Sequence, residues 1–167
     1  RRVIGPETIG PSFRGALADK YPGVEGLVSY NTSRGFYLNR KLIQNSGLEF
    51  GVVAGTITEA LKSTGLGAAV YSREQMVSNL PSTDPYIDLF RNSFESTRSA
   101  DLIVRYKENI YFGAGTTHGS PYDYDRHVPI VFMGDGINPG WYSEPCGPED
   151  IAPTLARILG LEYPREP

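Results

Sequence analysis

An α/β layered fold is predicted by three features of the sequence. Segments with apolar residues at helical spacing alternate with short segments rich in β-branched and aromatic residues. The run VPIVFM at 128–133 lacks polar alternation, as expected of a strand covered on both faces. The chain of 167 residues, 40% of them hydrophobic, is long enough to bury the core of one domain.

Taken in order, Phe13, Leu17 and Tyr21 recur at helical spacing after Pro11, and Pro22 with Gly23 ends that helix. Val24 to Leu38 reads as two strands joined around the turn-rich cluster Asn31 to Gly35. Phe50, Val53, Ile57, Ala60 and Leu61 mark one face of a helix that Gly65 terminates in a left-handed cap. Ala68 to Tyr71 is a short strand. Asp84 as N-cap and Pro85 at the first helical position predict a helix with Ile87, Phe90 and Phe94 inward, ending near Phe94. Asp101 to Lys107 has strand composition. Val128 to Met133 is expected to be a buried strand. Asp150 should cap a final helix carrying Ile151, Leu155, Ile158 and Leu159, with Pro153 tolerated early and Gly160 and Pro164 closing it.

Composition narrows the function. A net charge of -3, with no basic run, offers no footprint for nucleic acid or an anionic membrane. No stretch approaches the roughly 20 apolar residues of a bilayer span. The single Cys146 excludes an internal disulfide and is expected to be an inert thiol near a turn. Arg1 and Arg2, without an initiator methionine or a signal peptide, suggest a trimmed or excised chain.

The candidate site lies in the stretch from Phe112 to Pro129, FGAGTTHGSPYDYDRHVP. Its glycines permit a tight loop around His118, whose imidazole can bind a metal, shuttle a proton or hydrogen-bond. By residue type alone a structural or solvated histidine is the commoner case.

The segments GTTHGSPYDYDRHVPIVFMGDGI and EDIAPTLARILGLEYP resemble the C-terminal part of the alkaline phosphatase superfamily. The branch with a threonine nucleophile is the most similar, and the type I phosphodiesterase and nucleotide pyrophosphatase branch comes next. The resemblance implies a layered α/β/α sheet with a small α+β insertion region. It also implies a site of two zinc ions, with His118 as a zinc ligand, and hydrolysis of phosphate esters through a covalent phosphoenzyme. It suggests a periplasmic or secreted protein. RGFYLNRKLI, GAAVYSREQM and STRSADLIVRYK are similar to the family's insertion, placed here at 24–107. Residues 108–167 then hold the metal-ligand loop, a core strand and the C-terminal helix, and the whole of 1–167 is one domain.

The chain also departs from the family. The nucleophile motif and the remaining metal ligands are not recognisable, there is no Asp-His pair, and His118 and His127 are the chain's two histidines. A catalytic zinc needs about three protein ligands, so the isolated chain is expected to be inactive and the catalytic residues to lie outside it. A substrate-binding residue cannot be named. A local site from His118, Asp123, Asp125 and His127 is chemically open but less favoured, with His127 expected to hydrogen-bond and Asp125 to cap a turn. Thr116 and Thr117 are expected to hydrogen-bond within the loop, and Trp141 and Tyr142 to pack. Arg98, Arg105 and Arg126 could meet a phosphate but are usually solvated in such positions. The alternatives are a non-catalytic interaction domain and the sulfatase branch. Truncation would leave an apolar face open to self-association.

Overall fold

The structure is a computed structural model that describes residues 2–4, 8–112 and 118–162. It divides into two units, 1–126 and 127–167. In the first unit, β1 (Arg2–Ile4) is followed by α1 (Gly10–Lys20), β2 (Val28–Asn31), β3 (Gly35–Leu38), α2 (Arg40–Asn45), α3 (Phe50–Ser63) and β4 (Gly67–Ser72). Then come α4 (Arg73–Val77), α5 (Ile87–Asn92), β5 (Leu102–Tyr106), β6 (Ile110–Phe112) and α6 (Asp123–Arg126).

Two sheets result. A four-stranded antiparallel sheet has the order β2-β3-β5-β4, and β1 pairs in parallel with β6. The helical face read from sequence packs as expected: Val53, Ala54, Ile57, Ala60 and Leu61 of α3 are buried in a core with Phe13, Leu17, Phe36, Leu102 and Val104. Phe13 meets Phe36 edge-to-face at 5.1 Å. Gly65, at φ +69, follows α3 as the left-handed residue. A second cluster of Tyr71, Met76 and Ile87 is flanked by Phe90 and Phe94.

A buried carboxylate ties the sheet to its helices. Asp101 Oδ2 accepts the Leu38 amide at 2.9 Å, and its Oδ1 accepts Arg40 Nη2 at 2.5 Å and Arg73 Nε at 3.2 Å. Arg73 also reaches the carbonyls of Ser96 and Ser99.

Three helices among the described residues were not foreseen: α2, α4 and the single turn α6. α2 begins at Asn39, whose side chain accepts the Leu42 amide, and α4 begins at Ser72 with a reciprocal capping box to Gln75. The helix expected from Asp84 to near Phe94 runs instead from Ile87 to Asn92. The Asp84 carboxylate accepts Tyr86 N–H in a short turn and is held by two tertiary donors, so it is not a helix cap.

The second unit contains a 3-10 turn at Pro148–Asp150 and α7 (Ile151–Ile158). Asp150 occupies the N-cap position of α7 as expected, but its carboxylate accepts the Gly147 amide at 2.8 Å and makes no cap hydrogen bond to the helix. The C-terminus of α7 closes as expected, with Gly160 at φ +66 and Leu161 N–H donating to Ala156 O at 2.9 Å. Pro164 lies outside the described residues.

The expected buried strand at Val128–Met133 is corrected. The segment has no regular structure, and Val131 and Met133 are 81% and 97% exposed. Apolar composition shows only that a segment tolerates burial; a strand also needs a neighbour to complete its ladder, and none pairs with this run among the described residues. Trp141 and Tyr142, expected to pack, are likewise exposed.

Candidate functional site

His118 follows β6 by way of residues 113–117, which lie outside the described residues, as do Thr116 and Thr117. The His118 residue is exposed. Immediately after it the chain is fixed at several points. Gly119 takes φ +90, a conformation that favours glycine. Ser120 N–H donates to Asp125 Oδ2 at 2.6 Å, which makes Asp125 the turn-closing carboxylate that the sequence suggested. This hydrogen bond, ahead of its other influences, holds the Asp125 carboxyl below the usual range.

Pro121 and Tyr122 turn inward and are buried. The Tyr122 hydroxyl donates to Tyr106 O at 2.5 Å and accepts from Arg105 Nη1 at 3.2 Å. Its ring meets Tyr86 edge-to-face at 5.2 Å and stacks with Tyr124 at 5.9 Å. Tyr124 in turn accepts the Asn109 amide at 3.0 Å, at a turn where Asn109 has φ +61.

Arg105 joins this loop to the antiparallel sheet. Its Nε donates to Tyr71 Oη at 2.8 Å and its Nη2 to Asp84 Oδ2 at 2.9 Å, while Tyr71 donates to the same Asp84 oxygen at 2.8 Å. The guanidinium also lies 4.7 Å from the centroid of Tyr86. Burial opposes its charge, but the hydrogen bonds to Tyr71, Asp84 and Tyr122 prevail and raise its pKa. Arg105, a candidate phosphate contact from sequence, is therefore committed to protein partners. Arg98 is exposed beside Glu95, and Arg126 is exposed.

Asp84 provides a pH test. Burial pushes its carboxyl up, but Tyr86 N–H, the Tyr71 hydroxyl and Arg105 outweigh this and hold it below the ordinary value. Its stabilising contribution is therefore complete above the unfolded carboxyl pKa of about 4 and is lost as pH falls through the lower folded value. Thermal midpoints measured from neutral pH downwards should fall below about pH 4, and Asp84→Asn should flatten part of that decline. An unaltered acid limb in the variant would contradict the assignment.

Among the described residues, no group of three or more His, Cys, Asp or Glu gathers to hold a metal ion. The local alternative is thus not assembled: Asp125 is engaged with Ser120, and His127 is an exposed residue of the second unit. His118 by itself does not satisfy the donor set of a zinc centre. Sequence reasoning missed Arg34, whose guanidinium donates to the carbonyls of both His118 and Gly119. With the partners 84 and 85 positions apart in the sequence, no local pattern announces that contact.

No family model matches the chain. A Myroides odoratus protein named calcium-transporting ATPase is 33% identical over 151 residues, 89% of this chain and 27% of the relative. Alkaline phosphatase PafA of Elizabethkingia meningoseptica is 30% identical over 162 residues, 95% of this chain and 29% of the relative. The crystal structure of wild-type PafA matches with a TM-score of 0.79 at 27% identity, covering 96% of this chain and 31% of that one. The chain therefore spans less than a third of the length of these relatives. Among its own described residues, no helix is long and apolar enough to cross a membrane. The mixed α/β architecture, with its small antiparallel sheet, matches part of the PafA fold, and the chain belongs to the alkaline phosphatase superfamily.

Proposed function

We propose that this chain is the C-terminal portion of a zinc-dependent phosphate-ester hydrolase, a phosphomonoesterase or phosphodiesterase. In this reading His118 supplies one imidazole to a metal centre whose other ligands, together with the nucleophile that forms the phosphoenzyme, come from residues this chain does not contain. The observation that carries the reading is the coincidence of an exposed histidine, on a loop fixed immediately behind it, with the position that resembles the family's metal ligand. The names of the Myroides and PafA relatives agree on the underlying chemistry, since an ATPase and a phosphatase both hydrolyse a bond at phosphorus.

The test has two arms. The purified chain with added zinc should not hydrolyse an aryl phosphate. In a complete enzyme carrying this segment, His118→Ala should lower kcat/KM by at least about a hundredfold, the scale of losing a group that supports charge in the transition state. Metal-dependent turnover by the chain alone, or full activity of the His118→Ala enzyme, would defeat the proposal.

The isolated chain should also self-associate. Val128, Val131, Met133, Trp141, Leu159 and Leu161 are all exposed in the second unit, and large exposed apolar side chains favour association. Sedimentation velocity at micromolar concentration should show a second copy bound, and a monomer across the whole accessible range would refute this.

A further inference from the structure

Arg34 occupies the turn between β2 and β3, and this turn is itself rigidly built. Thr32 Oγ1 accepts the amides of Arg34 at 3.2 Å and Gly35 at 2.8 Å, while Thr32 N–H donates to Gly35 O at 2.8 Å. On the other side, Arg34 O accepts Val104 N–H from β5 at 2.7 Å. The residue's backbone is thus locked into the sheet before its side chain extends.

From that base the guanidinium reaches across to the loop. Nη2 donates to His118 O at 3.3 Å, and Nη1 donates to Gly119 O. A Cβ on Gly119 would lie 3.0 Å from Arg34 Nη1, tighter than ordinary contact, and the positive φ disfavours any side chain there in any case. Glycine at 119 is therefore favoured by its conformation, and a Cβ there would press on the arginine's terminal nitrogen.

We propose that Arg34 is a positioning residue for His118. It grips the peptide carbonyls of residues 118 and 119 from the hairpin, while Asp125 holds the next amide, that of Ser120, from α6. Between them these contacts set the backbone from which the imidazole projects. Both terminal nitrogens of Arg34 donate to carbonyl oxygens of the loop, so the side chain is placed to fix it. A planar fork with two parallel donors suits adjacent carbonyls, whereas a lysine ammonium has no such fixed spacing. The inference rests on the reading of His118 as a metal ligand for its purpose, although the clamp itself is measurable without any metal.

The experiment is residue-resolved amide exchange on the full 167-residue chain at neutral pH, metal-free, with the His118 ring resonances recorded in the same samples. Arg34→Ala should raise exchange at Ser120 and its neighbours by about tenfold or more and shift the His118 ring signals, while amides of α3 keep their protection. Arg34→Lys should restore part of the protection. Gly119→Ala, which disturbs the clamp from the loop side and leaves the hairpin intact, should open the same amides, and it serves if Arg34→Ala does not fold. Unchanged exchange at Ser120 and unchanged His118 signals in a folded Arg34→Ala chain would overturn the proposal. Because neither readout uses metal or turnover, failure of the clamp leaves the ligand reading standing, and full activity of a His118→Ala enzyme would remove that reading while leaving the clamp measured.

Discussion

Replacing Asp101 by alanine should destabilise the first unit by about 3 kcal/mol or more, the scale expected when one member of a buried ion pair is removed. Asp101 is 6% exposed and receives three hydrogen bonds, from the Leu38 amide, Arg40 and Arg73. Its loss leaves a buried amide without an acceptor, which costs about 1–3 kcal/mol by itself. It also leaves two guanidinium groups without their shared counter-charge. They differ in what they can recover: the Arg40 side chain is 55% exposed and regains water, whereas that of Arg73 is 23% exposed and remains against Phe94. The larger share of the penalty therefore falls on Arg73 and on Leu38 N–H. Asp101→Asn keeps an acceptor for the amide and should cost less. Urea denaturation would show a lowered midpoint for both variants, deeper for alanine, and midpoints within experimental error of the parent chain would contradict the role assigned to Asp101.

Elements with local causes were legible in the sequence. α3 was readable because Val53, Ile57, Ala60 and Leu61 repeat at helical spacing and face one core. β5 was readable because its alternating buried residues, Leu102, Val104 and Tyr106, are strand formers. α4 carries a local signal in the capping box of Ser72 and Gln75. By contrast, Asp84 and Asp150 both look like helix caps, yet each carboxylate is engaged elsewhere, by Arg105 and Tyr71 in one case and by Gly147 in the other. Propensity names the acceptor but cannot name the competing donor. The VPIVFM run fails for a related reason, because burial depends on a covering partner that a one-dimensional pattern does not contain. At the candidate site, His118 and the closing Asp125 could be singled out from the loop itself. The arginines that grip and support the loop could not, because Arg34 and Arg105 meet it only through the folded sheet.

Phe36→Ala should destabilise the same unit by about 3–5 kcal/mol, the range for deleting a buried aromatic ring whose surroundings relax only partly. Phe36 is fully buried, meets Phe13 of α1 at 5.1 Å, and lies in register with Leu102 of β5. Its carbonyl also accepts the Asp101 amide at 2.9 Å, so the ring and the buried carboxylate stabilise one junction of β3 and β5. Contacting sites do not add independently, and a double variant of Phe36 and Asp101 should lose less than the sum of the two single losses. The consequence reaches the loop, because β3 is the strand that presents Arg34, two residues earlier, to the carbonyls of His118 and Gly119. A cavity at Phe36 loosens the base on which that arginine stands. In amide exchange, Phe36→Ala should therefore lower protection in β3, β5 and at Ser120 together, whereas Arg34→Ala should open Ser120 and leave the core strands closed. Finding Ser120 fully protected while β3 exchanges freely in the Phe36 variant would show that the hairpin and the histidine loop are not mechanically joined.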